Sequence, residues 1–202
     1  GVDLNWSGVA YGHIGIDLTG PNGGVVRIDD IEVEDVTRFW LRDMIDVVDV
    51  RDHGALGDGV TDDRAAFVAA AAEAETRGAT LLVSDGSYRI ASNLTLSVPV
   101  RFQGTLVMDD ATRLLLTRNH DFPTYAAAFG DDETGLRKGL QALFHFTDHA
   151  AFDLRGRQVR ITRPIDLAQL TGLNFWAIRR VLRNGIIEVM PGSDWDTQTV
   201  TA

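Results

Sequence analysis

The sequence predicts a mainly β chain wound as a solenoid, interrupted early by one long helix. Short β-rich pieces, SYRI, LTLSV, VRFQGTLVM and RLLLTR, follow one another with turns between them too short to hold helices, which is solenoid spacing. An alanine-rich run from Ala65 to Ala72 reads as the helix. Ahead of both, YGHIGIDLTG and VVRIDDIEVEDV alternate apolar and polar residues around the turn PNGG.

At 202 residues the chain has room for one domain of common size, or one domain plus a piece of another. No apolar run approaches the roughly 20 residues of a membrane span, so no membrane partner is expected. The absence of cysteine excludes disulfides, thiolate metal sites and cysteine nucleophiles. A formal charge of −10 is a poor match for nucleic acid, whose binding rests largely on phosphate neutralisation. That charge is uneven: residues 1–63 hold fourteen acids against four arginines, residues 151–202 five against seven, an asymmetry that suggests two modules. The chain opens on glycine and not methionine, which points to a processed or excised product.

Residues 1–36 read as the terminal hairpin of a β-rich module, with apolar residues alternating through Val26, Ile28, Ile31 and Val33. Two strands are not stable alone in water, so the hairpin is expected to belong to a larger sheet. The stretch IGIDLTGPNGGVVRIDDIEVEDV resembles the last hairpin of the jelly-roll, galactose-binding-like modules attached to many carbohydrate-active proteins. That resemblance implies that Asp29 or Asp30 contributes to a structural calcium ion. Solvent-facing strand carboxylates are the alternative, since a hard cation needs several converging oxygens. No other cofactor is expected. Residues 37–46, TRFWLRDMID, place Phe39, Trp40, Met44 and Ile45 near helical spacing and read as a connecting helix.

The stretch DHGALGDGVTDD, residues 52–63, delivers the chain to the alanine-rich helix. Thr61 or Asp62 can cap its free amides, Asp63 lies against the positive end of its dipole, and Gly78 is the expected stop. Gly59 is followed by Val60, Thr61 and Asp62, which fits neither a Walker loop nor a dinucleotide fingerprint. Carboxylates there would also compete with an anion for the helix amides.

As an ordered set, VVDVRDHGALGDGVTDDRAAFVAAAAEAETRGATLLVSDGSYRIASNLTLSVPVRFQGTLVM resembles the N-terminal opening of the pectate-lyase-like right-handed β-helix superfamily, as in phage tailspikes. The resemblance implies a right-handed parallel β-helix over residues 47–202, truncated at its C-terminal side, with an N-terminal capping α-helix. Gly54, Gly57, Asp58, Gly59, Thr61, Asp62 and Asp63 then build the capping motif. His53 stands where the family usually has phenylalanine, and Ser84 and Asp85 replace its proline region. An open solenoid end exposes apolar surface and unpaired backbone, so a covering helix is physically required.

Later, FDLRGRQVRI and RNGIIEV resemble successive coil segments of β-helical spikes on tailed phages and gene-transfer particles. Residues 119–141 are expected to form a polar loop projecting from a coil, where function often resides. Its Asp131, Asp132 and Glu133 read as solvated, and His120, His145 and His149 as structural, since their spacing fits no metal-binding helix. No catalytic residue is assigned. Arg155 and Arg157 would share one face of a strand and, with Trp176 and Trp195, are the candidates for carbohydrate contact.

By these resemblances the chain is expected to be a spike or adhesin module, homotrimeric among other particle proteins, on the extracellular surface of a phage-like particle. It would bind host cell-surface polysaccharide or support the part that does. A secreted polysaccharide hydrolase or lyase is the alternative and a purely structural stem the third reading. Enzyme activity is left open, with the expectation leaning against it for this segment.

Overall fold

The computed structural model describes residues 46–145, 149–173 and 179–190. The hairpin read over 1–36, the connecting helix over 37–46 apart from Asp46, and the candidates Asp29, Asp30, Trp176 and Trp195 lie outside the described residues. Among the described residues the fold is mainly β, and every strand pairing is parallel. The chain visits three sheets in rotation. The first contains β1 (Val47–Asp49), β3 (Thr80–Val83) and β6 (Val100–Phe102). The second contains β2 (Asp58–Asp62), β4 (Ser87–Arg89) and β7 (Thr105–Val107), and the third β5 (Leu94–Leu96) and β8 (Leu114–Leu116). Further on, β9 (Ala151–Asp153) pairs with β11 (Val181–Arg183), and β10 (Gln158–Ile161) with β12 (Ile186–Val189).

Register follows from which side chains must leave water. Val48, Leu81 and Val100 stand in line across the first sheet, all buried. Tyr88 lines up with Leu106, Leu94 with Leu114 and Leu96 with Leu116, so apolar rows run from coil to coil through one core. Each fully buried leucine contributes about 1.5–3 kcal/mol. A one-residue slip would turn a row outward, which is what fixes the pairing.

Helix α1 (Arg64–Arg77) buries Ala66, Phe67, Ala70 and Ala74 and packs on β1, β3 and β5. It ends at Gly78, whose left-handed φ of +67° a side chain would strain. The Phe67 ring meets Tyr88 edge-on at 5.5 Å.

The polar stretch 119–141 is not a projecting loop. It folds into α2 (Phe122–Phe129) and α3 (Asp132–Phe144), packed on each other and on the sheets. Asp121 and Asp131 cap the two helices by accepting from Thr124 N and Thr134 N, and Gly130 ends the first. The polar composition concealed an apolar stripe: Phe122, Tyr125, Leu136, Leu140 and Leu143 are all buried. A short helix α4 (Leu167–Thr171) follows β10 and packs on α3.

Candidate functional site

The turn before α1 is held from within. Asp58 accepts from Val60 N at 2.9 Å and Thr61 N at 2.8 Å through one oxygen, and from Thr61 Oγ1 at 2.8 Å through the other. These bonds, the backbone amide of Thr61 first, hold its carboxyl below the usual range. Thr61 is thus spent on Asp58 and does not cap the helix. Asp62 accepts from Arg64 N at 3.2 Å and from Ala91 N at 3.1 Å, tying the helix start to the next coil.

Asp63 occupies the N-cap position without capping. Its buried carboxylate turns back to the amides of Leu56 at 2.7 Å and Gly57 at 3.1 Å. Gly57 has φ +64°, and a Cβ there would lie 2.9 Å from the Tyr88 ring. Behind it, Arg51 donates to Tyr88 Oη at 3.0 Å and to the Asp85 carbonyl at 2.8 Å. His53 Nε2 lies 3.1 Å from Glu73 Oε2, so the imidazole ties the turn Val50–His53 to α1 by a polar contact. Gly57, Asp58, Thr61, Asp62 and Asp63 thus lie in one hydrogen-bonded turn ahead of α1.

Open concave surface lies elsewhere, along α3. One cleft of about 570 Å³ is lined by Asp110, Thr134, Arg137, Arg163, Asp166 and Gln169 among others. A second, of about 440 Å³, is lined by Asp131, Asp132, Glu133, Gln158, Arg160 and Thr162. Glu133 and Arg137, neighbours on α3, connect the linings. Arg137 Nη2 donates to Glu133 at 2.9 Å and to the carbonyls of Arg163 at 2.7 Å and Pro164 at 2.9 Å. Glu133 also accepts from Thr162 N at 2.9 Å and Thr162 Oγ1 at 2.8 Å. Burial would raise its carboxyl, but the Thr162 bonds and Arg137 outweigh that and hold it below the usual range. Glu133 is a structural anion and not the solvated carboxylate its neighbours in sequence suggested.

Lys138, the chain's single lysine, is buried at the wall of the larger cleft. Its Nζ donates to the carbonyls of Asp109 and Thr112, each at 2.6 Å, and of Asp110 at 3.2 Å. Burial pushes it down to about 8 against the pull of Asp110 and Asp109. All three of its protons are in use. Exposed groups along the clefts include Arg163 and Arg160, whose side chains are 60% and 68% exposed, the carboxyls of Asp110, Asp132 and Asp166, and the amide of Gln169. Arg160 and Gln158 share Glu188 Oε2, at 2.9 and 2.8 Å.

Arg155 and Arg157 line neither cleft. They fall in the turn between β9 and β10, not on a strand, because Asp153 accepts from Arg155 N at 2.8 Å and bends the chain there. Arg155 takes a left-handed φ of 53° and reaches Asp121 at 3.3 Å. The cleft residues are hard to read from the sequence because the glycines and charges of α3 favour a loop. The arrangement offers donors and acceptors along an open surface, a form suited to hydroxyl-rich ligands. Among the described residues the carboxyls of Asp58, Glu133 and Asp153 are held below their usual range, the last chiefly through the amide of Arg155.

Residues 47–141 match the family described as rhamnogalacturonase A/epimerase, pectate lyase-like. No curated protein matches the chain. One solved structure, ORF18 of Geobacillus virus E2, is similar at 22% identity and a TM-score of 0.27, covering 46% of this chain and 20% of that one. The chain thus spans a fifth of that protein's length, and a likeness of that size carries no structural weight.

Proposed function

We propose that the chain is a polysaccharide-binding module of the spike or adhesin kind, a right-handed β-helix displayed on a phage-like particle, with α1 as the lid on its first coil. The observation that carries the proposal is the pair of clefts along α3, rich in side-chain donors and acceptors, on a pectate-lyase-like domain. Open surface of mixed polar and apolar lining on a rigid scaffold suits an extended glycan, whose hydroxyls and ring faces make many small contacts and need no one deep pocket. The lid reading is supported by the packing of α1 on β1, an edge strand of its sheet. Homotrimerisation, as in spikes of this kind, belongs to the same proposal.

The test is incubation with capsular and uronic-acid-containing polysaccharides, followed by size-exclusion chromatography with light scattering. Intact polymer that carries trimeric protein, lost when Arg160 and Arg163 are both changed to alanine, is the expected result. Shortened polymer would make the protein a hydrolase or lyase. No association with any polymer would leave a structural stem.

A further inference from the structure

We propose that the stacked rings of His120 and His149 form an acid-sensitive clasp at the root of the α2–α3 excursion. His120 immediately precedes Asp121, the cap of α2, and His149 follows the end of α3 and leads into β9. The chain leaves and rejoins the sheets at these two points, and the rings close the gap between them. Their centroids are 4.8 Å apart and their planes within 7° of parallel. An isolated parallel bridge between Asp121 and Asp153 lies beside them.

His120 is 8% exposed, and neither of its ring nitrogens has a hydrogen-bond partner. The Tyr125 and Phe152 rings stand 5.5 and 5.1 Å away, so the imidazole is held as an apolar plate. His149 Nε2 lies 2.9 Å from the Thr117 carbonyl, and Arg180 donates to the His149 carbonyl at 2.7 Å. The charges around His120 are unequal in what they can do for a proton. Asp121 favours it but is engaged by Arg155 at 3.3 Å, while His149 and Arg180 oppose it. Asp153, on β9, is taken up by Arg183 at 3.1 Å and Asn184 at 3.0 Å. The phenol of Tyr125 is committed to the Leu114 carbonyl at 2.9 Å.

A proton on His120 therefore puts an unsolvated cation against a second imidazole, and the stack must part to let water in. Burial, with His149 next, pushes His120 down to about 4 from its ordinary 6.5. The unfolded chain takes up that proton first. The clasp's contribution is thus complete above pH 6.5 and is lost as pH falls toward about 4. What acid releases is the root of the helix pair whose second member, α3, lines the clefts, which gives the module a means of responding to an acidified surrounding.

The test pairs thermal melts with a histidine NMR titration of the whole chain. The His120 contribution should lower the wild-type Tm by about 4–8 °C between pH 7.5 and 5, and His120→Leu should remove it, leaving the part owed to His145 at the end of α3, which burial also holds below its ordinary value. His53→Gln, on the turn before α1, is the control for a histidine outside the stack. In the wild type the His120 ring should stay neutral down to about pH 5, by the size of shift that burial imposes. A variant slope equal to that of the wild type, or a His120 that titrates near its ordinary value, overturns the proposal. Should His120→Leu fail to fold, the titration of the wild-type ring decides alone.

Discussion

The carboxylate of Asp63 and the amide of Leu56, seven residues apart, meet at 2.7 Å inside the turn that precedes α1. A buried carboxylate paired with two backbone amides is worth more than an exposed cap, since its removal leaves those amides without a partner. Asp63→Ala should cost about 3 kcal/mol, or roughly 6–12 °C in Tm. Asp62→Ala, which removes exposed bonds, should cost only about 1 kcal/mol. Thermal melts of both variants check the order. Equal losses would mean that helix capping, and not the fold of the turn, is what the aspartates supply.

Lys138 does for the turn at 109–112 what Asp63 does for the turn at 54–58, with the charge reversed. Lys138→Met keeps the aliphatic stem but removes the donor to three carbonyls. The Asp109 and Asp110 carbonyls retain Thr112 N and Gln141 Nε2 as partners, and the Thr112 carbonyl keeps none among those described. A loss of about 2–3 kcal/mol is expected in urea unfolding. Lys138→Arg should not restore it, because a planar fork cannot occupy a site shaped for a compact ammonium.

The first coils were legible because each strand is short, alternates and is bounded by turn residues. Tyr88 and Leu106 face inward as their spacing demands, and Gly78 stops α1 as its position demands. Asp63 was placed correctly at the helix start, but its partners were not legible, since Leu56 and Gly57 are reached only once the turn has closed. The helices α2 and α3 were missed although their signals stand in the sequence: Asp121 ahead of Phe122 and Pro123, Asp131 three residues before Thr134, and Leu136, Leu140 and Leu143 at helical spacing. Glycines and charges at 130–139 masked them. Gly135 and Gly139 look like helix breakers, yet each is where a neighbour comes too close for a Cβ, Ala126 for one and Phe152 for the other. The clefts join α3 to residues some thirty positions later, a relation that no local pattern carries.

Glu133 gives the acid limb a further, lower component, separate from that of His120. Its folded carboxyl sits below the ordinary 4.5, so its stabilisation is present above that value and is lost as pH falls through the lower folded one. Glu133→Gln should lower stability by about 1–3 kcal/mol at pH 7. The difference from the wild type should shrink below about pH 4 as the wild-type carboxyl takes up its proton. Chemical denaturation at pH 7 and at acid pH reads both effects. A constant gap across that range would mean that Glu133 acts through packing and not through charge.

Gly139 lies on the face of α3 that meets β9, where a Cβ would overlap the ring of Phe152. Ordinary helix energetics favour alanine over glycine by about 1 kcal/mol in a helix interior. Here overpacking should win, because the Phe152 ring is fully buried and bounded by Phe122, Tyr125 and His120. Gly139→Ala alone should therefore destabilise by about 1–3 kcal/mol. Phe152→Leu alone should also destabilise, by leaving space under the helix. The two together should lose less than the sum of the single changes, with a coupling of about 1 kcal/mol or more, since the new methyl enters the volume that the ring vacates. A double-mutant cycle in urea measures that coupling directly. Strict additivity would mean that α3 shifts away from the sheet to admit the methyl, and that the close approach of Gly139 to Phe152 is not what sets the helix on β9.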